Sequence, residues 1–92
     1  MALTKEFEYD CEIRTPYKAV QVRKATIVKD DGVEISRTYH RHVLSCRTKD
    51  GDTWGDTDIS GEDASVQAVC NAVWTSAVKS AYETFMDAQT DP

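Results

Sequence analysis

The hydrophobic period changes once along this 92-residue chain, and the change separates a sheet-forming part from a helix-forming part. Residues 3–13 alternate apolar and polar side chains, with Lys5 the one exception, which is the period of a half-buried β-strand. From Ser60 onward apolar residues recur at spacings of three and four, which is the period of an amphipathic helix. The predicted fold is α+β: an antiparallel meander of about three strands with a C-terminal helix or broken helix pair packed on its apolar face.

Turn residues indicate where these elements end. Thr15-Pro16 interrupts the first strand, because proline lacks a backbone donor and biases the residue before it away from helix. Asp31-Gly32 separates two β-branched runs and tolerates the positive φ angles of a type I′ turn, so strands two and three are predicted to form a hairpin. At Trp74-Thr75-Ser76, Thr75 can cap a second helix that begins at Ser76, and the helical pattern ends near Ala88.

The second and third strands carry less regular patterns. Between Val22 and Ala25 the apolar phase shifts, which indicates either a bulge or a strand covered on both faces. In the third strand one face is predicted to hold Val33, Ile35, Tyr39 and Val43. The opposite, polar face is predicted to hold Glu34, Ser36, Thr38, His40 and His42.

The length and composition fit one small domain, residues 1–92, with a meander at 1–47, an acidic connector loop at 48–60 and a helical segment at 61–89. No apolar run approaches the ~20 residues that span a membrane, and the first ten residues lack the pattern of a signal peptide. We therefore expect no membrane association and residence in a cytoplasm. Cys11, Cys46 and Cys70 are widely spaced, which predicts reduced thiols.

Charge is distributed unevenly around the formal net value of −5. Residues 1–16 carry two basic and four acidic groups (−2), 17–47 carry seven and three (+4), and 48–92 carry two and nine (−7). Such asymmetry can steer a partner or favour head-to-tail self-association. Nucleic acid is not the predicted partner, because the basic residues are not interleaved with stacking aromatics beyond Tyr39.

The connector, DGDTWGDTDISGED at residues 50–63, partly matches a calcium-binding loop. Two positions fail, because Trp54 stands where Asp or Asn is needed and Gly61 stands where a bidentate glutamate is needed. The alternative is an acidic lead-in to the helix, with Ser60 and Asp63 as a capping box. We favour the second interpretation.

No catalytic residues and no cofactor are predicted. Cys46 follows His42 by four residues, which is ~13 Å along a strand and beyond hydrogen-bond reach. His40 and His42 project from one strand face roughly 7 Å apart and are weak metal-ligand candidates, because two imidazoles leave an ion short of ligands unless carboxylates or a symmetric oligomer supply more. We interpret them as surface or interface histidines. The predicted partner-binding residues are Arg37, Tyr39, His40, Arg41, His42 and Trp54.

Two blocks, VQVRKATIVKDDGVEISRTYHRHVL (20–44) and DASVQAVCNAVWTSAVKSAYE (63–83), resemble short uncharacterised proteins of tailed bacteriophages, including phages of cyanobacteria and marine bacteria. The likeness covers about half the chain, and its most specific parts are DGVEISR-x-YHRHVL and AVWT-x-x-V-x-x-AY. This chain departs from the pattern at SCRTKDGDTWGDTDISGED, which replaces a short Pro-Gly turn, and at Ser76, where a proline often follows Trp-Thr.

The resemblance implies the context of a virion accessory component. Because the sequence shows no catalytic constellation, we expect a non-enzymatic protein of the tail, baseplate or fibre, which acts through contacts with other phage structural proteins. It would be made in the host cytoplasm and then incorporated into the virion. The alternatives are a capsid decoration protein and an intracellular phage factor, either an assembly chaperone or a binder of a host protein. Because a small sheet with edge strands gains stability by association, a homo-oligomer or a place in a larger assembly is expected.

Overall fold

A computed structural model describes residues 2–89 and confirms the α+β fold. Three long strands form an antiparallel sheet in the order β1-β2-β3, with β2 in the centre. A separate two-stranded hairpin and two helices follow. The elements are β1 (Leu3–Arg14), β2 (Ala19–Asp30), β3 (Val33–Leu44), β4 (Arg47–Asp50), β5 (Thr53–Asp56), α1 (Ala64–Val73) and α2 (Ser76–Gln89).

The turn between β2 and β3 has the predicted chemistry. Asp31 has φ 52° and Gly32 has φ 83°, the two positive angles of a type I′ turn. Asp31 also fixes the start of β1, because its backbone N–H donates to the Ala2 carbonyl at 2.9 Å and its carboxylate accepts from the Ala2 N–H at 3.2 Å. At this end of the sheet, hydrogen bonds therefore join the β2–β3 turn to the start of β1.

The two faces of the sheet have different environments. Val20 and Val22 of β2 pack with Val66, Cys70 and Trp74, so we call their side the helix face and the opposite side the outer face. Directly paired residues of antiparallel strands share a face, which places Cys11 and His42, the partners of Val22, on the helix face. The prediction that His40 and His42 lie away from the apolar core face was therefore wrong.

The irregular apolar pattern of β2 arises because both faces of the strand are buried, which is one of the two predicted alternatives. Ala25 and Ile27 lie on the outer face and are only 2% and 1% exposed. The register irregularity lies further along, between Val28 and Lys29 in the pairing with β3. It leaves Val33 opposite Asp30 on the helix face, so Val33 does not share a face with Tyr39 and Val43 as predicted.

The connector is not a loop throughout, because residues 47–56 form the β4–β5 hairpin. Gly51, with φ 62°, occupies the first of the two turn positions between Asp50 and Thr53. Three aspartates of the calcium-loop alignment, Asp50, Asp52 and Asp56, thus lie on a hairpin and not between two helices. The hairpin was missed because its strands are only four residues long and polar.

The helix break was predicted correctly, and the first helix start was not. Thr75 Oγ1 accepts from the Val78 N–H at 3.3 Å, as expected for the cap of α2. The N-cap of α1 is Asp63, whose carboxylate accepts from the Ser65 N–H at 3.0 Å. Ser60 instead lies in a preceding turn, where its N–H donates to Asp58. Glu62 and Asp63 therefore precede the first helical turn.

Charged contacts attach α2 to the hairpin. The Arg47 guanidinium lies 2.6 Å from Asp56 and 3.0 Å from Glu83, and the Lys79 ammonium lies 2.9 Å from Asp56. None of the residues of α2 that the structure describes is fully buried, so the helix is held by charged contacts and by partly buried residues such as Val78 and Tyr82.

Acid is expected to weaken this attachment. The Lys79 ammonium, and then the Arg47 guanidinium, hold the pKa of Asp56 below its ordinary value of 3.8. A carboxylate with a depressed pKa in the folded state stabilises the fold fully above its unfolded value and loses that contribution as pH falls through the folded value. The stability difference between wild type and Asp56→Asn should therefore shrink when urea unfolding is followed from about pH 6 to about pH 2. Asp52→Asn at the hairpin tip is the matched control; an equal pH dependence there would contradict the assignment.

Candidate interaction surface

Ion pairs cover the outer face of the sheet. Asp10 accepts from Arg23 at 2.6 Å, and Glu6 lies 2.6 Å from the Lys29 ammonium, so acids of β1 pair with bases of β2. Arg37 of β3 bonds Glu34 on its own strand at 2.7 Å. It also reaches Glu8 of β1 at 3.1 Å, although β2 lies between the two strands. These pairs join all three strands through side chains.

The Arg37–Glu8 contact explains how Ala25 and Ile27 are buried without a second layer of structure. Ala25 pairs with Glu8, and Ile27 pairs with Arg37, so the contact crosses β2 at these residues. Long charged side chains can lay their methylene groups on an apolar surface and keep the charged ends in water. The hydrogen bonds to Glu34 and then Glu8 raise the pKa of Arg37.

Tyr39 and Arg41 are exposed residues on the outer face of β3. The Tyr39 ring lies 4.5 Å from the Arg23 guanidinium and 5.8 Å from that of Arg41, which is cation–π geometry. Arg41 makes no ion pair with any residue of 2–89. Next to it a depression of about 580 Å³ is lined by residues that include Glu12, Gln21 and Val43.

Both outer strands have a free edge along residues 2–89. β1 and β3 each pair only with β2, and ten of the twelve residues in each are exposed. Neither strand contains proline, and the single irregularity of β3 lies near its start. Natural proteins usually protect such edges with short strands, prolines, bulges or charged side chains, because an open edge is a template for pairing with another chain. Of these devices, charged side chains are the one that both edges carry.

The helices cover only part of the helix face. The molecule is 59 × 26 × 21 Å, and the core cluster takes its β2 residues, Val20 and Val22, from one end of that strand. Beyond the helices, Leu3, Phe7 and Val33 are exposed apolar residues, and the Lys24 ammonium lies 4.5 Å from the Phe7 ring. Exposed apolar residues grouped on one surface are typical of interaction sites.

The predicted partner-binding residues do not form one site. Arg37, Tyr39 and Arg41 lie on the outer face, whereas His40 and His42 lie on the helix face. Trp54 is on β5, packs against Tyr82 at 5.9 Å and donates to Asp87 at 3.2 Å. Its contacts within the chain join the hairpin to α2, and its role in partner binding stays a prediction.

The two histidines do share a face, with ring centroids 6.3 Å apart. His42 Nε2 lies 2.9 Å from Glu62 Oε1, so this imidazole is positioned by the turn before α1. Within residues 2–89 no group of three or more His, Cys, Asp or Glu side chains is placed to hold a metal ion. Burial raises the pKa of the Cys46 and Cys70 thiols, and none of the three cysteines is in a disulfide.

The acidic row Glu6, Glu8, Asp10 and Glu12 was not among the predicted interaction residues. Strand alternation placed the row on a polar face, but a single strand pattern does not reveal whether a strand lies at an edge of its sheet. The meander order supplies that signal, because a three-stranded meander always exposes its first and third strands.

Comparison with known proteins finds no family model, no curated protein and no solved structure that matches this chain. Among residues 2–89, neither helix has the length and apolar character needed to cross a membrane.

Proposed function

We propose that this chain is a non-enzymatic structural component that acts through protein–protein contacts made by its long sheet. The observation that carries the proposal is the pair of free twelve-residue edges, together with the exposed apolar end of the helix face. A monomer that exposes this much unpaired strand is at risk of uncontrolled association, so such edges fit a protein that is completed by its partners.

The resemblance to short proteins of tailed bacteriophages supports a virion as the assembly. We place the chain at the tail, baseplate or fibre, after synthesis in the host cytoplasm. The elongated shape, 59 Å in its longest dimension, supports a role as a connector between larger proteins. The absence of a nucleophile with a positioned base in the sequence supports a non-enzymatic role.

Purified particles of a phage that encodes this sequence should contain the protein in a fixed copy number relative to the major tail protein. The measurement is quantitative mass spectrometry of gradient-purified particles beside the particle-free lysate. Tail fractions separated from capsids distinguish the tail from capsid decoration. Abundance in infected cells with absence from particles would reject the proposal and favour an assembly chaperone or host-protein binder.

A further inference from the structure

The two free edges of the sheet carry opposite charge on the outer face. The β1 edge presents four carboxylates, Glu6, Glu8, Asp10 and Glu12. The β3 edge presents the two guanidinium groups Arg37 and Arg41 on either side of Tyr39, with Glu34 at its far end. Arg14 is the one base in the β1 row, at the turn. The acidic edge and the basic edge belong to the same molecule.

The strand register places these charges at the same heights. Glu6, Ile27 and Arg37 form one row across the sheet, and Asp10, Arg23 and Arg41 form another. Because β1 and β3 are each antiparallel to β2, they run in the same direction. A second copy placed beside the first in the same orientation would therefore continue the sheet, with its β1 parallel to β3 of the first copy.

In this arrangement opposite charges are neighbours. Arg37 lies beside Glu6 of the second copy, and Arg41 lies beside Asp10 of the second copy. Arg41 is the basic residue of this edge that has no ion pair within residues 2–89. Cross-strand pairs of opposite charge stabilise a sheet, and directly opposed like charges destabilise it.

The same-edge alternatives are disfavoured. Pairing β1 with β1 of another copy would bring two rows of four carboxylates together. Pairing β3 with β3 would bring the arginines of both copies onto one strip. On the helix face, the opposite-edge arrangement also places Leu44 beside Ile13 and Val33 beside Leu3 of the second copy, so apolar residues meet near both ends of the strands.

We propose that the partner of this surface is a second copy of the chain, bound by pairing of β3 with β1 of the neighbour. The contact is heterologous, so repeated association produces a closed ring or an open filament rather than a two-fold dimer. This inference specifies the partner in the proposed assembly role and rests on that role.

Two charge reversals test the pairing, one on each edge. Arg41→Glu changes the β3 edge and removes no ion pair within residues 2–89. Glu12→Arg changes the β1 edge beside Asp10 and removes only the exposed contact with Arg14, whereas Asp10 itself pairs with Arg23. Asp52→Arg, at the tip of the β4–β5 hairpin, is the control with the same charge change as Glu12→Arg.

Analytical ultracentrifugation and native mass spectrometry of the full chain provide the readout. Wild type and Asp52→Arg should form species larger than a dimer at low salt, and added salt should dissociate them. Each edge variant alone should lose these species, because one of its two edges is blocked. An equimolar mixture of the edge variants should restore association, because the β3 edge of Glu12→Arg and the β1 edge of Arg41→Glu are both unchanged and can pair with each other.

A monomeric wild type at every concentration would overturn the pairing. So would a wild-type dimer that Glu12→Arg leaves intact, because that dimer would not use the β1 edge. If the protein is monomeric in solution and is nevertheless found in particles, the self-pairing is wrong and the structural role stands. If it self-associates as described and is absent from particles, the pairing stands and the virion role is wrong.

Discussion

Replacing Trp74 by alanine is expected to lower the free energy of unfolding by about 3–5 kcal/mol, the usual loss for removal of a buried tryptophan. Trp74 is 8% exposed and packs in the core cluster with Val20 and Val66, at the end of α1. Its indole N–H donates to the Lys18 carbonyl at 2.8 Å, which joins the helices to the β1–β2 turn. A small domain with a total stability of roughly 5–15 kcal/mol would lose a large fraction of it.

Urea unfolding followed by far-UV circular dichroism measures this effect. Trp74→Phe should lose less, because it keeps most of the ring volume and leaves only the Lys18 carbonyl without its donor. Trp54→Ala is the matched control, because Trp54 is a half-buried tryptophan outside the core cluster. A larger loss at Trp54 than at Trp74 would mean that the hairpin, and not α1, determines stability.

Local chemistry made much of the fold predictable. The Asp31-Gly32 pair sets the β2–β3 turn through its φ angles, and the Thr75 hydroxyl caps α2, so both boundaries followed from a few adjacent residues. The start of α1 was misplaced because Ser60 and Asp63 are both good caps. The choice between them depends on the turn in which the Glu62 N–H donates to the Ile59 carbonyl.

The assignment of faces failed for a tertiary reason. Tyr39 and Val43 are apolar residues on the outer face, so the alternation of β3 suggested that this side was the core. The helix face of β3 instead carries His40 and His42. His42 pairs with the buried Val22 and contacts Glu62 beside the start of α1, whereas His40 is exposed. A strand pattern reports the polarity of each side chain and not which side another element will cover.

The candidate surface was predictable only in part. The sequence analysis singled out Arg37, Tyr39 and Arg41, and the structure places them together on the outer face. It could not identify Glu8 as the residue that Arg37 reaches across β2, because that contact depends on the register of three strands. The segment charges of −2 and +4 did not reveal the complementarity of β1 and β3, which exists at the level of single rows across the sheet.

Replacing Ile27 by alanine is expected to lower the free energy of unfolding by about 2–4 kcal/mol, within the range for buried isoleucine. The size of this loss tests whether charged side chains alone can create a buried site on an open sheet face. Ile27 is 1% exposed, although neither helix nor the hairpin is packed on it within residues 2–89. Its cover comes from its neighbours on the outer face, among them Arg37 and Glu6.

Ile35→Ala is the matched control, with the same atoms removed from an isoleucine of β3 that is 58% exposed. Because the Ile35 side chain is mostly exposed, its replacement removes little buried apolar surface. The free energy of unfolding should therefore change by less than about 0.5 kcal/mol in the same urea experiment. Equal losses at the two positions would contradict burial under the Arg37–Glu8 contact. A large loss at Ile27 that shrinks in an Arg37→Ala background would show that the two side chains are coupled, since independent sites would give additive losses. That coupling would mean that the charges on the outer face hold the sheet together before any partner binds, and that assembly adds contacts to a surface already in place.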